Sequence, residues 1–190
     1  VMELSGKYYY WWPLFTVLLG TGTRIGECLA LRWEDLDFEN RIITVNHSLT
    51  YRPTLETGSS EMRISLPKTE AGIRTIPMLD VVKDAFEILR EEQEDTGYNE
   101  QIIDGMYGFV FKNRFGEVPR PHTINQAIKR IVGSYNSAEI LQAKKERREP
   151  LVLPSFSCHI LRHTFATRLC EAESNLKVIQ SVMGHRNVET

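Results

Sequence analysis

The chain has 190 residues and a formal net charge of −2 at pH 7, enough length for one substantial domain with its own core, or one domain and an appendage. No apolar run approaches a membrane span, and the start, Val1-Met2-Glu3-Leu4, carries no basic segment or cleavage pattern of a secretory signal. Cys28, Cys158 and Cys170 form an odd set without C-x-x-C spacing, which argues for reduced, mostly buried thiols in a cytosolic protein.

Residues 8–20 predict a buried helix that starts close to Pro13, tolerable only in a first turn, and ends at Gly20. The turn Thr21-Gly22-Thr23 leads into a second helix from Arg24 through Leu31, ending near Trp33, and 35–40 is turn material. The periodicity then changes. Residues 41–45, 62–66 and 73–77 predict a small antiparallel three-stranded sheet, with a polar insertion from Thr50 to Ser60 between its first two strands. Asp80 is a candidate N-cap for a helix from Val81 to Glu94, with Val82, Phe86 and Leu89 on its apolar face and an acidic end expected to fray into Thr96-Gly97. Beyond a Phe-rich stretch at 108–111, a turn at 114–117 and two prolines, a helix runs from Thr123 to about Val132. The basic run 144–148 falls in a long polar connection, where a solvated face is the ordinary reading. Ser157 can cap a helix bearing His159 to Leu169, and Asn175 begins another that ends at Gly184. The whole reads as α+β, mainly α: one helical domain with a small sheet.

On a helix His159, Arg162 and His163 stand at i, i+3 and i+4 and share one side, while Leu161, Phe165 and Leu169 form an adjacent apolar stripe. Two imidazoles beside a guanidinium suit a phosphodiester: donors for its oxygens, and rings that carry protons. Zinc spacing is also present, but no glutamate stands beside the first histidine and the intervening Arg162 would repel a cation. Charge is distributed unevenly: residues 1–110 carry 10 Lys/Arg against 18 Asp/Glu, and residues 111–190 carry 13 against 7. The half that holds the His/Arg cluster is therefore the half suited to a polyanion, although a chance imbalance on a solvated surface gives the same count.

The segment His159 to Thr167 resembles the H-x-L-R-H-T-x-A-T signature of the tyrosine recombinase (phage integrase) family, and Gly184-His185 resembles that family's following G-H. Upstream, Thr21 to Glu27 resembles the T-G-x-R-x-x-E signature, and Lys68-Thr69 followed by Arg74-Thr75-Ile76-Pro77 resembles the β-hairpin that presents a catalytic lysine. The long polar insertion is similar to integrases of Gram-positive conjugative transposons. The resemblance implies a recombinase/type IB topoisomerase-like fold and strand cleavage and rejoining through a 3′-phosphotyrosine. It implies that Arg24 and Arg162 hold the scissile phosphate, Lys68 protonates the leaving 5′ oxygen, His159 assists proton transfer and His185 donates to the phosphate. Glu27 would hold neighbouring cations in place; read without the motif it is an ordinary helix-surface acid, and Lys68 a solvated hairpin lysine. For His163 a structural hydrogen bond fits as well as catalysis. No metal or cofactor is implied, because arginines supply the charge.

The family's tyrosine lies past the G-H motif, and none of Tyr8, Tyr9, Tyr10, Tyr51, Tyr98, Tyr107 or Tyr135 holds that place. The expectation is a catalytic domain over 1–190, with the tyrosine after Thr190 and an N-terminal DNA-binding domain both outside it. Such a piece forms no covalent DNA adduct. Implied partners are double-stranded DNA and, for the intact protein, three further copies in a tetramer, with no membrane and a bacterial cytoplasmic location on DNA. Two other readings stay open: a non-catalytic DNA-binding module on the same fold, and a type IB topoisomerase-like enzyme.

Overall fold

Pro13 fixes where the first helix begins. In the computed structural model, which describes residues 6–53, 60–67 and 73–184, a 3-10 turn over Gly6–Trp11 runs into α1 (Trp12–Thr21) with the proline in its first turn, where a missing N–H costs nothing. The helix ends at Thr21 rather than at Gly20, because Gly22 takes the left-handed conformation (φ 61°) and its N–H closes on the Leu18 carbonyl at 3.1 Å. Thr21 then folds back: its hydroxyl donates to Val17 O (2.7 Å) and lies 2.9 Å from the Thr23 hydroxyl, both threonines being buried. This turn launches α2 (Ile25–Ala30), shorter than its sequence suggests, with Arg24 at the N-cap and a buried His47 ring nitrogen 2.6 Å from the carbonyl of Ala30 at its other end.

The sheet differs from expectation in membership. β1 (Leu36–Asp37), β2 (Ile42–Val45) and β5 (Arg74–Pro77) make the three-stranded antiparallel sheet in the order β1-β2-β5. The strand expected as its middle member instead forms β4 (Ser60–Ser65), paired with β3 (Ser48–Pro53) in a separate two-stranded hairpin. Part of the supposed polar insertion is therefore strand. Thr50, Tyr51 and Arg52 alternate well enough to pair with Arg63, Met62 and Glu61, and polar side chains suit a hairpin whose outer face meets water. The hairpin is anchored on α2 because Gly26 meets the Leu49 carbonyl so closely that a Cβ would sit 2.5 Å from it.

α3 (Asp80–Thr96) begins one residue earlier than expected; Leu79 is the N-cap and Asp80 makes no capping bond, and the acidic end stays helical through Thr96. α4 (Pro121–Glu146) is far longer than the predicted 123–132, absorbing the start of the basic run 144–148 into its last turn, where cations suit the helix dipole. Two side chains tie the following segment back onto it: Glu139 accepts from Arg148 (2.5 Å) and from the Leu151 N–H (2.8 Å), and Asn136 exchanges two hydrogen bonds with Leu153. Sequence periodicity fades where α4 leaves the core: of its residues beyond Val132, only Ala143 is buried.

α5 (Cys158–Ala172) and α6 (Leu176–Met183) complete the fold. Ser157 occupies the N-cap of α5 without a capping bond; Asn125 of α4 reaches over and accepts the Cys158 N–H at 3.0 Å instead. Asn175 does cap α6, and Gly184 ends it at φ 63°. One continuous apolar core joins α1, α2, β2, β5, α3 and the start of α4, with Leu18, Leu29, Ile43, Ile76, Phe86 and Phe109 essentially sealed; each such side chain contributes about 1.5–3 kcal/mol of transfer free energy. Cys28 and Cys158 are buried in it, while Cys170 is exposed, and all three are free thiols. No helix among the described residues is long and apolar enough to cross a membrane.

Candidate functional site

Three separated stretches meet where α1 ends. α5 lays Phe165 directly over Gly22, so closely that a Cβ there would fall 2.2 Å from the ring. One turn earlier on the same helix, Arg162 is only 5% exposed and donates to the Gly22 carbonyl (2.5 Å) and to the Met183 carbonyl (2.6 Å). The apolar stripe predicted on α5 thus docks the helix: Leu161 is buried and Phe165 and Leu169 are half-buried.

Glu27 is the buried acid of the site. Its two oxygens accept from the Arg24 backbone N–H (2.8 Å), from Arg24 Nη1 (3.0 Å) and from Arg74 Nη1 and Nη2 (3.2 and 2.8 Å). Burial alone would raise its pKa, but the Arg74 hydrogen bonds and charge, with those of Arg24, outweigh that and hold the carboxyl below its usual range. It is a buried, fully partnered carboxylate, not the surface acid that its helix position suggests. Arg24, by contrast, keeps its side chain half exposed (51%). An N-cap arginine tethered through one nitrogen and its own backbone can still present the rest of a planar fork outward.

Arg162 has its pKa brought down to about 10, first by burial and then by the charges of Arg24 and Arg74, which Glu27 partly offsets. Arg162 donates to the carbonyl of Gly22, two residues before Arg24, so both arginines sit at the turn that launches α2. The arrangement differs from the sequence expectation in one respect. His159 and His163 share an exposed face, their rings edge to face at 4.4 Å, but Arg162 turns away from them into the interior. The i, i+3, i+4 spacing permits either orientation, and the carbonyls of Gly22 and Met183 decide it. Lys68 and His185 lie outside the described residues.

Sequence reasoning missed Arg74 as a site residue. It occupies a core-facing position of β5, on the same side as Ile76, opposite the buried Val45. Strand alternation carries that signal: residues two apart point to one face, so a buried Ile76 implies an inward Arg74, and an inward arginine needs an acid partner. Besides Glu27, it reaches the Val182 carbonyl through Nε at 2.9 Å.

The structure thus sets Arg24 and Arg74 on one buried carboxylate and Arg74 and Arg162 on carbonyls at the ends of α1 and α6, while His159 and His163 stand on an exposed face of α5. The chain belongs to the phage integrase family, whose profile matches residues 6–190. It is 35% identical over 173 residues to the transposase from transposon Tn916 of Enterococcus faecalis, covering 90% of this chain and 38% of that protein. It is 32% identical over 178 residues to the prophage integrase IntR of Escherichia coli (strain K12), covering 89% and 38%. The Tn1549 transposon integrase, solved in complex with circular intermediate DNA, superposes with a TM-score of 0.81 at 34% identity, covering 98% of this chain and 55% of that one. The XerA recombinase, at 19% identity and a TM-score of 0.65 over 98% of this chain and 53% of that one, shares the fold. The chain thus spans 38% of the length of these curated relatives. The fold class and the likeness to transposon integrases are as the sequence motifs imply.

Proposed function

We propose that the protein carrying this chain is a site-specific recombinase that cuts and rejoins double-stranded DNA to integrate or excise a mobile element, with this chain as its catalytic domain. The observation that carries the reading is the convergence of Arg24, braced by Glu27, with Arg162, which is held against the Gly22 carbonyl two residues away. Two guanidiniums in one neighbourhood match the charge that accumulates on a pentacoordinate phosphorus. In this reading a tyrosine hydroxyl, which the resemblance implies beyond Thr190, attacks phosphorus while the bond to the 5′ oxygen breaks. Lys68 gives the leaving oxygen its proton, His159 takes up the tyrosine proton, His185 donates to a phosphate oxygen, and Glu27 and His163 support. Rejoining reverses the step with a different 5′ hydroxyl, so no external energy source enters.

Duplex DNA as partner is supported by the Tn1549 integrase complex and by charge. The first acid on α4 is Glu139, and before it the helix exposes His122, Gln126, Lys129 and Arg130. A tetramer on two duplexes and a location on DNA in a bacterial cytoplasm belong to the same proposal. The test is cleavage by the full-length protein of a nicked duplex carrying the ends of its encoding element, in excess chelator. A denaturation-resistant protein joined to a 3′ end is expected; a free 3′ phosphate or hydroxyl with no adduct would overturn the reading.

A further inference from the structure

We propose that Arg74 is a positioning residue of this site, holding Glu27 in place for Arg24 while pinning the last turn of α6, so that one guanidinium sets two parts of the phosphate-binding surface. The inference rests on the phosphate-handling reading above.

A buried arginine needs acceptors on every side, and Arg74 finds them on two different elements. Nη1 and Nη2 form a fork on the two oxygens of Glu27, while Nε points the other way to Val182 O. The side chain is 4% exposed. Fork and side donor belong to one rigid plane, so the Glu27 carboxylate and the α6 terminus are fixed relative to each other.

The consequence for Arg24 follows from charge. Glu27 is shared: each of its oxygens accepts once from Arg24 and once from Arg74. With Arg74 present, one Nη1 contact is all the carboxylate takes from the Arg24 guanidinium. Without Arg74, Arg24 is the one cation left on Glu27 among the described residues, and a buried carboxylate draws it in as a full counter-ion. The fork needed for phosphate is then spent on Glu27.

The consequence for α6 is mechanical. Of its residues only Met183 is buried, and its C-terminal carbonyls of Val182 and Met183 are gripped by Arg74 and Arg162 respectively. Carbonyls at a helix C-terminus carry partial negative charge and favour such cations. Gly184 follows at φ 63°, with the Arg74 side chain beside it: a Cβ there would lie 3.0–3.2 Å from the guanidinium. Arg74 also follows Lys68 by six residues in the chain.

The experiment follows tungstate, a tetrahedral phosphate mimic, binding to the whole chain through the guanidinium 1H–15N signals of Arg24, with amide exchange in α6 measured on the same samples and folding checked by near-ultraviolet circular dichroism. R74M is expected to weaken tungstate about tenfold, the scale of one lost charge-assisted contact, and to speed exchange in α6. R74M/E27Q, which removes the competing carboxylate charge, should recover to within about threefold of the parent. R74K, which folds with the charge but without the fork, should keep most of the affinity and lose the α6 protection. A folded R74M that binds as the parent does, a double variant no better than R74M, or an R74K with native α6 exchange overturns the inference alone. A parent chain whose Arg24 signals ignore tungstate overturns the phosphate reading, and this inference with it.

Discussion

Replacing Gly22 by alanine should damage the junction on which the site is built, for two separable reasons. The backbone there is left-handed, φ 61° and ψ 17°, which costs an L-residue about 1–2 kcal/mol. The new Cβ would also meet Phe165 Cδ1 at 2.2 Å and two further ring carbons at 2.8 Å, against a helix already anchored by Leu161 and Arg162. Overpacking of that kind costs about 1–3 kcal/mol, so the total is about 2–5 kcal/mol, a large share of the 5–15 kcal/mol typical of a domain. At about 2–4 °C per kcal/mol for this size, Tm should fall by roughly 4–20 °C. Urea denaturation separates the two components. In a Phe165→Leu background the steric share is relieved, and G22A should then cost only the conformational share of about 1–2 kcal/mol. Equal costs in both backgrounds, or a G22A cost below about 1 kcal/mol in the parent, would refute the account of Phe165 as the lid on this turn.

The buried carboxylate gives a pH signature. Because the Glu27 pKa is lower folded than unfolded, the unfolded chain binds more protons, and its contribution is present above the unfolded value and lost as pH falls through the folded one. Urea midpoints at pH 6, 5, 4 and 3 should therefore show the stability gap between parent and E27Q shrinking toward acid; a constant gap refutes it. Binding of the chain to a mixed-sequence duplex should weaken steeply with salt, and Lys129→Ala or Arg130→Ala should each reduce the log–log slope by about 1 if α4 lies on phosphates. In the full-length protein, Lys68→Ala should lower cleavage by about 100-fold or more, and a 5′-bridging phosphorothiolate, whose thiolate leaves without a proton, should restore it. Native thiol titration should find one fast cysteine, Cys170, since burial pushes the Cys28 thiol far up and that of Cys158 to about 11; two fast thiols would contradict the core packing.

Motif and periodicity carried much of this architecture. Pro13, Asn175 and Gly184 mark their helix ends because each acts through its own backbone or a cap two residues away, whereas α1 runs past the expected Gly20 to a cap at Gly22. What local pattern did not reveal depends on partners distant in the chain. Strand β4 reads as a sheet member, but which strand it joins is settled by β3, whose polar alternation looks like loop. Asn125, 33 residues upstream, takes over the cap that the sequence assigns to Ser157. The full length of α4 is hidden because helical periodicity reports burial, and most of its second half has no core to face.

The same limit explains the two arginines. A motif supplies residue type and spacing, and from those Arg162 reads as a hand extended to phosphate. Its position at 5% exposure, with donors committed to Gly22 and Met183 carbonyls, makes it also the brace that brings the ends of α1 and α6 to α5. A guanidinium carries five N–H donors along its planar edges, so one side chain can hold the carbonyls of two elements at once. A lysine has the charge without the edges. Arg162→Lys should therefore lose about 2 kcal/mol of stability from two charge-assisted bonds to buried carbonyls, as well as any grip on phosphate. A variant with native stability in urea denaturation but impaired anion binding would show that the brace is dispensable and the phosphate role alone remains.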